Sequence, residues 1–205
     1  MTGPDVAFWQ QRFDNKQLPW DRGRSSPQLA AWLADGTLAA PSRIAVPGCG
    51  SGHEVETLAR AGFVVTALDY APGALALTRQ RLAAAALQAD VRQADVLEWQ
   101  PPQPLDAVYE QTCLCALHPD HWTAYAANLH SWLRPGGRLA LLAMQARRES
   151  AAEGQIEGPP YHVDVNALRA LFTGTHWDWP KPPYALVPHP TSLDWAELAL
   201  VLTRR

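Results

Sequence analysis

An excess of basic charge, paired cysteines and long apolar runs are all missing from this chain, and each absence removes a class of function. Seventeen Lys and Arg stand against twenty Asp and Glu, a formal net charge of -3 at pH 7. No global positive field exists to attract a phosphate backbone, so no nucleic-acid partner is expected. The three cysteines, Cys49, Cys113 and Cys115, include no CxxC pair; an odd count without a charged-then-apolar leader fits a reduced, cytoplasmic, metal-free protein. No uninterrupted apolar stretch reaches the roughly 18 residues of a membrane helix, and the Ala-rich run at 82–87 is far too short, so no membrane partner is expected. Charged residues are also scarce at 18%, while 47% of the 205 residues are hydrophobic. That balance argues for one folded domain with a well-filled interior and against disorder. Tryptophan and proline, by contrast, are plentiful, at nine and eighteen. The tryptophans gather toward the two ends, and much of the proline lies between 159 and 190.

The order of patterns predicts an α/β fold. Residues 43–62 (RIAVPGCGSGHEVETLARAG) read as a short apolar strand, a glycine-rich turn and a helix ended by Gly62. The unit repeats at 63–87: a β-branched run stops at Asp69 and a helix follows from about Pro72. After a polar segment carrying Val91 and Val96 come a strand at 105–110, a helical stretch at 119–133, the turn RPGG and the apolar strand RLALLAM. Strands alternating with helices predict a seven-stranded, mostly parallel sheet covered on both faces. Beyond Met144 the spacing predicts a surface loop over 145–157, a short helix over 164–172 capped by Asp164, and a hairpin of strands around 184–187 and 197–203. The first 40 residues hold Trp9, Phe13, Trp20 and Trp32 without a strand signal, and read as helices and turns over the sheet. The expected organisation is a single domain over 1–205. Within it lie an aromatic lid at 1–40, a cofactor-binding core at 41–145, and a substrate-side loop with C-terminal strands at 146–205.

The strongest chemical signal is VPGCGSG at 46–52. Glycines after a buried strand let the backbone approach a ligand closely, and the next helix offers free amides, so Gly48, Cys49 and Gly50 are candidate cofactor contacts. Asp69 ends the next strand about 20 residues later, where a doubly wound sheet sets an acid against a ribose; Tyr70 stands beside it. The dinucleotide fingerprint GxGxxG requires a third glycine where this chain has His53. A second acid, Asp95, closes the next expected strand where it can meet an adenine amino group, with Val96 or Leu97 over the ring. Taken together, the glycine loop, Asp69 and Asp95 favour S-adenosyl-L-methionine over a dinucleotide.

At this point the sequence resembles the thiopurine S-methyltransferase family, nearer to its bacterial and plant thiol or halide methyltransferase branch than to the mammalian enzymes. The blocks that carry the likeness are FWQQRF, PWDRG, VPGCGSGHEV, ALDYAPGAL, DAVYEQTCLCAL, LRPGGRLALLAM and GPPYHV, spanning about 8–172. The resemblance implies a Rossmann-like class I methyltransferase. It further implies that Trp9, Phe13 and Trp20 contact the cofactor with Gly48 beneath it, Asp69 on the ribose, Asp95 and Val96 at the adenine, and Gln111 near the methionine end. Mammalian members have Arg where this chain has Gln111, which removes a charge from the pocket. The aromatics suit a sulfonium, because a ring face near a cation is worth roughly 0.5–2 kcal/mol when desolvated.

In GPPYHV, Tyr161 is a candidate on the substrate side and His162 reads as a surface residue in preference to a base. Cys113 and Cys115 read as buried packing residues. The expected reaction is methyl transfer to a small soft nucleophile, with Gln111 orienting the reactants and alignment doing more than proton abstraction. The alternatives are O- or N-methylation of a small metabolite, and a catalytically silent cofactor-binding protein. The oligomeric state is not legible in the sequence; a monomer is the simplest expectation.

Overall fold

The computed structural model describes residues 3–149, 155–189, 192 and 194–205. Its strands are β1 (Arg43–Pro47), β2 (Val64–Asp69), β3 (Asp90–Gln93), β4 (Leu105–Gln111), β5 (Leu133–Gln145), β6 (Trp177–Asp178), β7 (Ala185–Pro188) and β8 (Ala196–Arg204). Across the sheet the order is β3-β2-β1-β4-β5-β8. The first five of these are parallel, and β8 runs antiparallel to β5. Since β5 pairs with β8 from Arg138 to Gln145, it fills one edge of that strand. The short β6 and β7 therefore share the other edge as one interrupted seventh strand. The interruption is WPKPPY at 179–184, whose three prolines offer no amide to a ladder. The expected mostly parallel sheet is thus present, and the late hairpin is β7 and β8. The two-residue β6 gave no sequence signal.

Helices α1 (Val6–Asp14), α2 (Pro27–Ala34), α3 (His53–Arg60), α4 (Pro72–Ala84), α5 (Trp122–Trp132) and α6 (Val165–Leu171) cover the sheet. Strand alternation divides the core in two. Along β5, Leu139, Leu141 and Ala143 pack with Leu129 and Trp132 of α5 and Leu168 of α6. Ala140 and Leu142 face the other layer, with Trp32, Val55, Leu58 and Leu75 of α2, α3 and α4. Burial on both faces is why these strands read as continuous apolar runs. In α6, Asp164 caps the helix by accepting from the amides of Asn166 and Ala167.

Three local readings are corrected. The RPGG segment does not precede a strand: β5 already pairs Leu133 with Leu105 and next pairs Arg138 with Ala107, so 134–137 bulge out of the ladder. Pro135, lacking an amide, could not have paired there. Asp95 does not close a strand, because β3 ends at Gln93 and Asp95 opens the following turn, its carboxylate accepting from the Leu97 amide at 2.8 Å. The early helices also separate in role. Leu29 and Trp32 of α2, spaced i and i+3, are buried in the core, Trp32 edge-on to Tyr109 at 6.2 Å, whereas α1 buries none of its residues in the core. Part of the expected 145–157 loop, residues 150–154, lies outside the described residues.

Candidate functional site

Between β1 and β4 the chain reverses its direction of travel across the sheet, and doubly wound sheets open a crevice above the carboxyl ends of the strands there. A cavity of about 1200 Å³, its open mouth included, lies at that place. Its parts follow the sheet order. Asp95 and Val96 come after β3, Asp69 and Tyr70 from the end of β2, Gly48 and Gly50 from β1, Thr112 and Cys113 from β4, Met144 from β5, and His189 and Trp195 from the β7–β8 hairpin.

Gly48 has φ +61°, and a Cβ there would stand 3.1 Å from Cys113 Cβ, so no other residue keeps both the turn and this wall. Asp69 is held by its own neighbourhood: one carboxylate oxygen accepts from the Ala71 amide at 3.0 Å and the other from Gly50 at 3.0 Å. Each oxygen has a further lone pair to offer a ligand hydroxyl. Burial pushes this carboxyl up from its ordinary range, while the Ala71, Gly50 and Tyr70 amides pull it back.

The cover is aromatic. Trp20 meets Trp9 at 5.4 Å and Phe13 at 6.0 Å, both edge-on. Gln10 Oε1 accepts from the Gly73 amide at 2.8 Å, and a Cβ on Gly73 would approach Phe13 Cβ to 2.6 Å, so any side chain there would lift α1 off α4. The PWDRG segment is fastened by the two residues that follow Trp20. Asp21 accepts from Ser51 Oγ and pairs with His53 at 2.9 Å. Arg22 donates to Glu197 of β8 at 2.9 Å and to the Pro188 carbonyl at 3.0 Å. The Arg22–Glu197 pair is buried, with side chains 11% and 2% exposed.

Nine of the residues singled out from sequence therefore border one cavity: Trp9, Phe13, Trp20, Gly48 and Gly50 together with Asp69, Tyr70, Asp95 and Val96. Three do not. Cys49 sits at the alternate position of the loop, so its thiol points into the core beside Thr78 Oγ1 at 3.6 Å. Gln111 ends β4 facing the other layer; its Nε2 donates to both Glu197 oxygens at 3.1 and 3.2 Å, and its Oε1 accepts from the Tyr109 hydroxyl at 2.7 Å. It borders a smaller pocket behind Trp20 with Arg22 and His53. Tyr161 is 7% exposed and turned away under its loop, edge-on to His118 at 5.6 Å, while Pro159 and Pro160 form the wall in its place. His162 is half-buried and does not border the cavity.

Sequence reasoning missed Arg12, Thr112, Met144, His189 and Trp195. Thr112 adopts φ +61°, a strained conformation that concentrates at functional sites and leaves no trace in a Thr. His189 and Trp195 carried no signal beyond their aromatic character, because the hairpin that brings them here is placed by β8. Cys113 and Cys115 border the cavity as buried thiols, and burial pushes both well above their ordinary range. They are wall, not nucleophiles.

A carboxylate at Asp69, the rings of Trp9, Phe13 and Trp20, and a side-chain-free wall at Gly48 thus stand along one cavity. Among the described residues, no group of three or more His, Cys, Asp or Glu is arranged to hold a metal, and no helix is long and apolar enough to cross a membrane.

The sequence model of the thiopurine S-methyltransferase family matches residues 4–182. A thiocyanate methyltransferase 1 of Arabidopsis thaliana is 31% identical over 80% of this chain and 70% of its own. A thiopurine S-methyltransferase of Legionella pneumophila is 25% identical over 78% of this chain and 77% of its own. Among solved structures, the 1,6-didemethyltoxoflavin-N1-methyltransferase of Burkholderia thailandensis, with bound S-adenosylhomocysteine, superposes with a TM-score of 0.75 at 18% identity, covering 97% of this chain and 86% of that one. That likeness is one of fold.

Proposed function

The chain belongs to the thiopurine S-methyltransferase family, and we propose that the small nucleophile it methylates is a soft one: a thiol first, with sulfide, halide and thiopurine-like sulfur in the same class. It is an S-adenosylmethionine-dependent small-molecule methyltransferase. The observation that carries the acceptor class is the wall beyond Gly48. Cys115, Leu117, Met144, Pro159 and Trp195 surround that end with polarisable and apolar groups, which favour a large, weakly hydrated nucleophile over a hard oxygen or an amine. The names of the Arabidopsis and Legionella relatives point to sulfur chemistry too.

In this reading Asp69 accepts the ribose hydroxyls, Asp95 and Val96 meet the adenine, and Trp9, Phe13 and Trp20 face the sulfonium. The bound cofactor supplies an electrophilic methyl group. The chain's own contribution is to bring the nucleophile into line with it and to exclude water, and orientation of that kind can lower a barrier by about 7–11 kcal/mol. Gln111 acts at one remove, holding Glu197 and through it Arg22 and the cover. The free cysteines, all buried, support a reducing, cytoplasmic setting.

The test is a panel of alkyl and aryl thiols, sulfide, iodide, thiopurines, catechols and amines with methyl-labelled cofactor. Label on sulfur or iodide is expected. Label only on oxygen or nitrogen would assign the other acceptor class, and no label on any sulfur acceptor or iodide would overturn the soft-nucleophile reading.

Residues 5–22 are expected to become ordered on cofactor binding, since α1 buries none of its residues in the core and its aromatic face meets the cavity. Amide exchange there should slow at least about tenfold when S-adenosylhomocysteine binds, the protection expected if roughly 1.4 kcal/mol of local stability is gained. Equal exchange with and without ligand would show a cover that is already closed.

A further inference from the structure

The cavity runs along the carboxyl ends of the strands, with the ribose acid Asp69 at β2 and, at its other end, His189 directly after β7. His189 is 9% exposed. Its amide donates to the Trp195 carbonyl at 3.0 Å, and its ring stands edge-on to Trp195 at 5.6 Å. The residue before it, Pro188, is held through its carbonyl by Arg22 at 3.0 Å. The imidazole is thus set by β8 and by the PWDRG segment at the acceptor end of the site.

Among the described residues bordering the cavity, the side chains able to exchange a proton are few. Asp69 and Asp95 lie at the adenosine end. Tyr70, Cys113 and Cys115 are pushed upward by burial and keep their protons. His189 is left, and burial together with the charge of Arg22 holds its imidazole below its usual range. The charged groups around it are Arg22 from the cover segment, Glu197 across the ladder on β8, and Arg148, whose guanidinium lies over the Trp195 ring at 5.2 Å.

Resting on the soft-nucleophile reading above, we propose that the acceptor enters as a neutral thiol carrying an apolar group and that His189 takes its proton. The thiol sulfur forms a bond to the methyl carbon with a lone pair while its S–H proton passes to the His189 imidazole. The bond from that carbon to the sulfonium breaks, its electron pair staying with the departing thioether, S-adenosylhomocysteine. The imidazolium then returns its proton to solvent. A free thiol has a pKa of about 8.5, so most of it is protonated at neutral pH; a base in place accepts the proton as the carbon–sulfur bond forms, so prior ionisation is not required, and general base catalysis contributes roughly 10²–10⁴-fold.

Iodide has no proton to lose, which makes it the internal comparison. His189→Gln keeps the volume and removes the base. The ratio of kcat/KM for an alkyl thiol to that for iodide should fall about a hundredfold in the variant. In the unaltered enzyme, kcat/KM for the alkyl thiol should show an acid limb that is absent with iodide. That limb should coincide with the titration of the His189 ring proton, followed by NMR in the S-adenosylhomocysteine complex and assigned by its loss in the variant. An unchanged acceptor ratio, an acid limb that survives in His189→Gln, or a ring titration displaced from the limb would each overturn the proposal. If His189→Gln does not fold, His189→Asn takes its place in both arms. Failure of the unaltered enzyme to methylate thiol or iodide would instead bring down the acceptor reading, and this inference with it.

Discussion

Asp69→Ala should weaken S-adenosylhomocysteine binding by about ten- to hundredfold, because two ribose hydroxyls lose a charged acceptor and hydrogen bonds to charged groups contribute roughly 1.5–3 kcal/mol. The upper part of that range is expected here. The same carboxylate accepts from the Gly50 and Ala71 amides, each at 3.0 Å, so the substitution also releases the glycine loop that forms the wall under the ligand. Asp69→Asn, which retains an acceptor oxygen, should lose less. Titration calorimetry on folded variants measures both, and an Asp69→Ala protein with undiminished affinity would remove the ribose assignment.

The second large effect concerns stability and falls on Glu110, one residue before Gln111. Glu110 is fully buried in β4; its Oε1 accepts from the Leu114 amide at 2.6 Å, and its Oε2 has no hydrogen-bond partner among the described residues. Burial raises its pKa from 4.5 to about 8, against the pull of the Leu114 and Cys113 amides. The folded protein therefore holds a proton that the unfolded chain releases above 4.5. The stability from this carboxyl is fully present below about pH 4.5 and is lost as the pH rises toward 8, a fall on the order of 3–5 kcal/mol. Glu110→Gln preserves the shape and cannot ionise. Its urea denaturation free energy should lack this fall, so that the variant is the more stable protein at pH 8.5 and nearly matched with the native one at pH 5. Parallel profiles for the two proteins would show that Glu110 is ionised in the fold.

Much of the architecture could be read from the chain because the relevant signals are local. The apolar runs at 43–47 and 138–144 are continuous for the reason that these strands are covered on both faces, and Asp164 announces α6 by capping it. Where the reading failed, a distant element had decided. RPGG looks like a turn, yet Leu133 before it already pairs with Leu105 across the sheet. Trp32 belongs by composition with the other early tryptophans, but it packs edge-on against Tyr109 of β4 and so joins the core, away from the cover.

The site divides in the same way. By itself the sequence determined that Gly48, Asp69 and Asp95 would line one cavity, because a glycine loop after one strand and acids near the ends of the next two are separated by short stretches of chain whose geometry the βα units impose. It also determined the family, through blocks distributed along most of its length. Only the tertiary structure decided the other end of the cavity. Gln111 was drawn to Glu197, 86 residues away, and turned from the cavity, since a carboxylate buried on β8 requires donors and both Gln111 and Arg22 supply them. The same strand carries His189 and Trp195 into the cavity by pairing with β7, a long-range register that no local pattern in the sequence encodes.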